Sequence, residues 1–226
     1  MLVLAVDTAT PAVTAGVVEL APDSPPRLLA KRVTLNAKAH GELLTPHISD
    51  SLAEAGKTYA DLDAIVVGTG PGPFTGLRVG LATAAALGQA LNRPVYPVAT
   101  TDAIAKDAAS GRPLLVATDA RRKEVYWAAY DAAGRRTDGP HVERPQDLAE
   151  KLPKLGVHHA TGEGAEIYRE ILGLELLQAK HPTPEGLVAA AAAEVLAKAR
   201  PAALTPLYLR RPDAVEPTGR KRVTRA

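Results

Sequence analysis

The residues Gly68-Thr-Gly-Pro-Gly-Pro-Phe-Thr-Gly-Leu-Arg-Val-Gly80, running on as Leu81-Ala-Thr-Ala-Ala-Ala-Leu-Gly-Gln-Ala-Leu91, organise the reading of this chain. The apolar run Ala64 to Val67 ahead of them reads as a buried strand, and Thr75 is placed to cap a helix reaching about Leu91. A glycine-rich turn from strand to helix binds phosphate in many folds, because the first N–H groups of the helix point outward there. The spacing here matches neither the P-loop nor the dinucleotide fingerprint, and the turn has no lysine to reach a phosphate. Pro71 and Pro73 also remove two N–H donors that a phosphate nest would use. The helix is apolar almost all round and carries Gly76, Gly80, Ala84 and Gly88 every fourth residue. Such a helix must be covered on more than one side, and a smooth stripe lets another helix approach closely. The stretch therefore reads first as a packing element and second as a ligand loop.

Working outward, the N-terminal side reads as three strands, Leu2 to Val6, Ala12 to Leu20 and Leu28 to Leu35, followed by a helix over Gly41 to Ala55. That helix has Leu44, Ile48, Leu52 and Ala55 on one stripe. After the glycine helix come a strand at Val95 to Val98 and a helix capped by Thr101. The order then begins again, with a strand Leu114 to Thr118 ending at Asp119, a second at Glu124 to Tyr130 and a weaker third near His141 to Glu143. Helices at 146–152 and 165–172 alternate with extended segments at 157–160 and 174–179. A last helix, capped by Thr183 with Pro184 at its first position, reaches about Ala199. Two lobes, each with three meandering strands and then alternating helices and strands, make an α/β, actin-like (ASKHA, RNase H-like) fold of repeated βββ-α-β-α order. The lobes are expected at 1–100 and 101–209, with the helix at 184–199 packing back on the first.

Composition narrows the class. Apolar residues make up 46%, ordinary for a globular chain, and the lack of cysteine excludes disulfides and thiolate-bound metals. The N-terminal apolar run is interrupted by Asp7 and has no basic segment before it, so neither a signal peptide nor a membrane span is expected. A cytoplasmic protein is the expectation. The segment 210–226 holds six basic residues against Asp213 and Glu216, which leaves 21 basic and 23 acidic residues elsewhere. A loose basic tail either adds salt-dependent affinity for RNA or only solubilises the chain.

Four stretches together now resemble a known family: Leu4-Ala-Val-Asp-Thr-Ala-Thr10, His40-Gly-Glu-Leu-Leu44, the glycine stretch, and Asp119-Ala-Arg-Arg-Lys-Glu-Val-Tyr126. With Pro206-Leu-Tyr-Leu-Arg-Arg-Pro-Asp213 they are similar to the bacterial TsaB (YeaZ) family, whose most specific motif is carried here by Gly70, Pro71, Gly72, Phe74, Thr75, Gly76, Leu77 and Arg78. Pro73 stands where serine is usual, and Gly41 where serine often precedes the glutamate. The resemblance implies a non-catalytic paralogue of TsaD, the subunit that transfers threonylcarbamoyl to adenosine 37 of tRNAs reading ANN codons. It implies a TsaD-like catalytic partner, a TsaE-like ATPase, a homodimer when alone, and tRNA reached through the complex. It implies no cofactor of its own, ATP and metal being handled by other subunits.

In TsaD-like relatives a His-x-x-x-His pair holds a metal after the strand that follows the glycine helix. The matching positions here are Thr100 and Ile104, and no histidine occurs between His47 and His141. His40 and His47 stand about 10 Å apart along a helix, too far to share one ion without other ligands. Asp7, with Thr8, and Asp119 fall where the two phosphate loops of an actin-like ATPase would lie, and Gly162 and Gly164 where such a protein contacts adenosine. These positions are either vestigial nucleotide loops or purely structural turns. The expected partner seam comprises Leu44, Ile48, Leu52, Gly76, Leu77, Gly80, Leu81, Ala84 and Gly88. A stand-alone actin-like phosphotransferase is the alternative, and a peptidase finds no residue set in its support.

Overall fold

The computed structural model describes residues 1–108 and 111–210. The first sheet is built from β1 (Leu2–Asp7), β2 (Ala12–Glu19), β3 (Arg27–Leu35), β4 (Ala64–Gly68) and β5 (Val95–Val98), in the order β3-β2-β1-β4-β5. The second uses β6 (Leu114–Asp119), β7 (Val125–Tyr130), β8 (Arg136–Glu143), β9 (His159–Thr161) and β10 (Glu175–Leu176), in the order β10-β9-β6-β7-β8. Read from the third strand of each, the two orders are the same. In both, an antiparallel meander is extended by parallel strands on the far side of its first member.

The helices are α1 (His40–Glu54), α2 (Phe74–Leu91), α3 (Thr100–Asp107), α4 (Pro145–Ala149), α5 (Leu152–Leu155), α6 (Glu163–Ile167), α7 (Arg169–Leu172) and α8 (Pro184–Leu196). Alternation along the central strand decides which of them cover each face. Leu2, Leu4 and Val6 pack with Leu44, Ile48 and Leu52 of α1 and with Leu81 and Ala84 of α2. Val3 and Ala5 point the other way, toward Leu187, Val188, Ala191 and Val195 of α8 and Ala103 of α3. A strand buried on both faces loses the apolar–polar alternation, which is why β1 reads as an unbroken apolar run. Ile104 and Ala105 of α3 turn to Leu114, Val116, Ala128 and Tyr130 of the second sheet. The outer face of that sheet is closed by α4 to α7 through Leu148, Leu152, Ala165 and Leu172. The layer of α3 and α8 thus lies between the two sheets, and the late helix α8 belongs to the core of the first.

Several element ends differ from expectation. The glycine helix starts at Phe74 and follows Pro73, whose extended backbone leads into it, so Thr75 lies inside the first turn and caps nothing. Likewise α3 starts at Thr100 after Ala99. The expected helix at 146–152 is two short ones, because Pro153 has no N–H for the Ala149 carbonyl and the chain must begin again at Leu152. The helix at 165–172 starts earlier, at Glu163, and breaks at Tyr168. The strand expected over 174–179 shrinks to Glu175–Leu176, since its partner β9 has only three residues to offer. The basic stretch beyond Arg210 lies outside the described residues.

Candidate functional site

Asp7 ends β1 with no exposed surface. Its carboxylate accepts the Ala9 N–H at 2.8 Å and the Thr100 hydroxyl at 2.6 Å. Burial pushes this carboxyl up to about 6 against the opposing pull of those donors. Beside it, the Thr8 hydroxyl donates to the Gly76 carbonyl at 2.7 Å and accepts the Gly80 N–H at 2.9 Å. One side chain of the β1–β2 turn therefore sits between two backbone groups of α2 that are four residues apart. The glycines permit this approach. A Cβ on Gly72 would strike the Ala9 carbonyl, one on Gly76 the Thr8 carbonyl, and one on Gly80 the Thr8 hydroxyl. The place of a first phosphate loop is filled by the chain's own glycine stretch.

This overturns the direction assigned to the small-residue stripe. Gly76, Gly80, Ala84 and Gly88 are all buried, and Gly88 abuts Val95 and the Arg93 carbonyl. Leu44, Ile48, Leu52, Leu77 and Leu81 are between 0 and 7% exposed. None of the nine residues expected at a partner seam is on the surface. The physical reason is that glycine recurs where a Cβ would collide, and the nearest obstacle to α2 is its own β1–β2 turn.

The outward face of α2 consists of Phe74, Thr75, Arg78, Ala82, Ala85, Ala86, Gln89 and Ala90. Phe74 is the only phenylalanine in the chain and is 48% exposed. Its ring stacks on that of Tyr208 with centroids 5.1 Å apart, and the Arg78 guanidinium lies 3.6 Å over it. Arg78 Nε also donates to the Tyr208 hydroxyl at 2.9 Å. Tyr208 arrives on a strap, residues 201–210, that crosses the glycine stretch where the Leu207 N–H donates to the Thr69 carbonyl at 2.9 Å. Sequence reasoning gave Tyr208 no role. The one available signal was a lone aromatic placed among glycines and prolines.

The second sheet treats the equivalent positions differently. Asp119 ends β6, accepts the Arg121 N–H at 2.9 Å and lies 3.6 Å from the Arg121 guanidinium. Gly162 takes a φ of +100° against the Ala117 carbonyl, and Gly164 presses on the Thr118 backbone. Both glycines seat α6 on β6. A cavity of about 200 Å³ lies between the two sheets' turns, lined by Thr10, His40, Pro73, Thr75, Asp119 and Arg121 among others. Asp7 and Thr8 do not line it.

The histidines bond separately, His40 Nε2 to the Thr10 carbonyl and His47 Nε2 to the Thr34 hydroxyl, each at 2.9 Å. Thr100 is engaged by Asp7, and Ile104 is fully buried. Among the described residues no group of three or more His, Asp or Glu gathers as a metal site, and no helix is long and apolar enough to cross a membrane.

A family model described as TsaD, tRNA N6-adenosine threonylcarbamoyltransferase, matches residues 33–218. An uncharacterized protein of Mycobacterium tuberculosis is 50% identical over 94% of this chain and 93% of its own length. The Escherichia coli tRNA threonylcarbamoyladenosine biosynthesis protein TsaB is 30% identical over 76% of this chain and 75% of its own. Among solved structures, YeaZ from Pseudomonas aeruginosa superposes with a TM-score of 0.76 at 28% identity, covering 92% of this chain and 99% of that one.

Proposed function

The chain belongs to the TsaB (YeaZ) branch of the threonylcarbamoyltransferase family, and from that premise we propose that it serves tRNA threonylcarbamoyladenosine biosynthesis as a non-catalytic scaffold. It docks and activates a TsaD-like catalytic paralogue, acts together with a TsaE-like ATPase, and works in the cytoplasm, where tRNA is modified. It holds no cofactor of its own. Alone, it pairs with a second copy through the same surface.

The observation that carries this reading is the Phe74–Arg78–Tyr208 cluster at the head of an α2 face without further charge. Exposed aromatic and arginine side chains held rigid by one another are the residue types that dominate binding energy at interfaces. Behind them Ala82, Ala85 and Ala86 let a partner helix lie close. The seam is thus moved from the inward stripe to the opposite side of the same helix. Two further features favour a scaffold over a stand-alone phosphotransferase. The β1–β2 turn is occupied by backbone of the glycine stretch. The positions matched to the metal-binding pair hold a threonine bonded to Asp7 and a core isoleucine.

Replacing Phe74 and Tyr208 with alanine, or Ala86 with glutamate, is expected to abolish co-purification with the catalytic paralogue while leaving thermal unfolding near wild type. In a reconstituted mixture of paralogue, ATPase, threonylcarbamoyl-AMP and tRNA, the same variants are expected to stop modification. Undiminished capture of the paralogue by these variants would sink the docking face.

A further inference from the structure

After α8 the chain runs back over the molecule as residues 201–210, which form neither helix nor strand. Such a segment keeps its place only through the contacts it makes. Leu204 packs on the core of the first sheet, and the Leu207 N–H donates to the Thr69 carbonyl just beyond β4 at 2.9 Å. Tyr208 stacks on Phe74 and accepts from Arg78 Nε, both at the head of α2. These attachments all belong to the first sheet and its helices. Two residues further on, the strap fastens to the second sheet. The Arg210 guanidinium donates to the Ala120 carbonyl at 2.8 Å and pairs with Glu124 at 2.8 Å, one on each side of the β6–β7 turn.

Two residues of backbone span at most about 7 Å. With Tyr208 and Arg210 both seated, a tether that short joins the β6–β7 turn to the head of α2. Pro201 and Pro206 stiffen its approach, because proline fixes φ and leaves less freedom to lose on ordering. The bonds at its far end are of the strong, charge-assisted kind. The rest of the seam between the sheets is less tightly filled. Ile104 and Ala105 of α3 pack on the second sheet. Beside them lies a cavity of about 340 Å³, walled by Val98 of β5, Asp102 of α3, Glu194 of α8, Arg136 of β8 and Leu207 of the strap, among others. Space of this kind forfeits the contacts that make packed layers rigid. The chain crosses between the layers from α3 to β6 and returns from β10 to α8, and two such connections leave a hinge.

We propose that residues 201–210 are a latch that fixes the angle between the two sheets, with Tyr208 and Arg210 as its two catches. The molecule thereby presents the α2 face and the second sheet as one body. Whatever draws Tyr208 off Phe74 also slackens the hold on the β6–β7 turn, so the two places are coupled through the strap.

The chain has no cysteine, so nitroxide labels at Asp50→Cys on α1 and Glu170→Cys on α7, both exposed, report the distance between the two layers without background. Double electron–electron resonance on the full chain is expected to give one narrow distance distribution. Arg210→Ala is expected to broaden it and shift its mean. The same substitution is expected to speed hydrogen exchange of the Leu207 amide about tenfold, because the closed strap loses a charge-assisted hydrogen bond. Glu124→Gln loses the ion pair but keeps the Ala120 bond, and is expected to move both readouts the same way by less. Should Arg210→Ala fail to fold, the comparison is made on Glu124→Gln. A distribution that is already broad in the wild type, or that the substitution leaves unchanged, overturns the latch. So does a Leu207 amide that keeps its wild-type exchange rate. The docking reading fails on other residues, as undiminished capture by the Phe74 and Tyr208 variants, so the two failures are told apart.

Discussion

The β1–β2 turn and the β6–β7 turn occupy equivalent places in the two sheets, each following a buried central strand that ends in aspartate. In the first, both residues are buried, Thr8 held by the Gly76 and Gly80 backbone of α2 and Asp7 closed in by Gly68 and Thr100. In the second, Asp119 keeps a partly open carboxylate, and Arg121 to Lys123 face outward. Strand order alone would make both turns phosphate loops. What separates them is the next helix along. The long α2 and its lead-in close onto the first turn through Gly72, Gly76 and Gly80, whereas the five-residue α6 is seated behind the second. Duplicated topology thus leaves one turn as a fastening for α2 and the other as a surface.

The largest effect that would break this contrast is expected at Gly72. Alanine there meets a backbone carbonyl, Ala9, and neither segment has a flexible side chain to move aside. A cost of about 3 kcal/mol is expected. For a chain of this size that lowers the melting temperature by roughly 6–12 °C. Arg121→Ala, in the exposed turn, is expected to change stability by no more than about 0.5 kcal/mol. Equal melting temperatures for the two variants would remove the distinction between a sealed turn and an open one.

The buried carboxylate gives a pH signature to the sealed turn. With Asp7 raised from 3.8 to about 6 in the folded protein, the protonated form is the one that folding favours. Its stabilising contribution is fully present below pH 4 and is lost as pH rises through about 6. The size is about 3 kcal/mol for a shift of this magnitude. Asp7→Asn removes that titration, so urea unfolding should show the variant gaining on the wild type by about this amount between pH 4 and pH 7. A difference that stays flat with pH would mean that the carboxylate is not sealed.

Much of this was legible in the sequence. The two central strands, the aspartates that end them and the repeated order follow from apolar runs that bury both faces. The direction of α2 was not legible, because Ala82, Ala85 and Ala86 are as small and apolar as the glycine stripe opposite them. Only the difference between alanine and glycine, a Cβ and the space it needs, tells the two faces apart. Nor does any local pattern announce a left-handed arginine. That conformation is set by the hydrogen bonds closing the hairpin, and Arg210 reaches the turn from a segment 90 residues away.

A smaller effect, of opposite sign, sharpens the contrast from the other side. Lys123 has a φ of +62°, in a region that costs an L-residue about 1–2 kcal/mol. Glycine removes that strain but has more freedom to lose on folding, which takes back about 0.5–1 kcal/mol. Lys123→Gly is therefore expected to gain about 0.5–1 kcal/mol in chemical denaturation. The sign matters more than the size. A gain means that the turn is held in its shape at a cost to stability. A loss would mean that the lysine contributes to the fold, and the second turn would then be as much a structural element as the first.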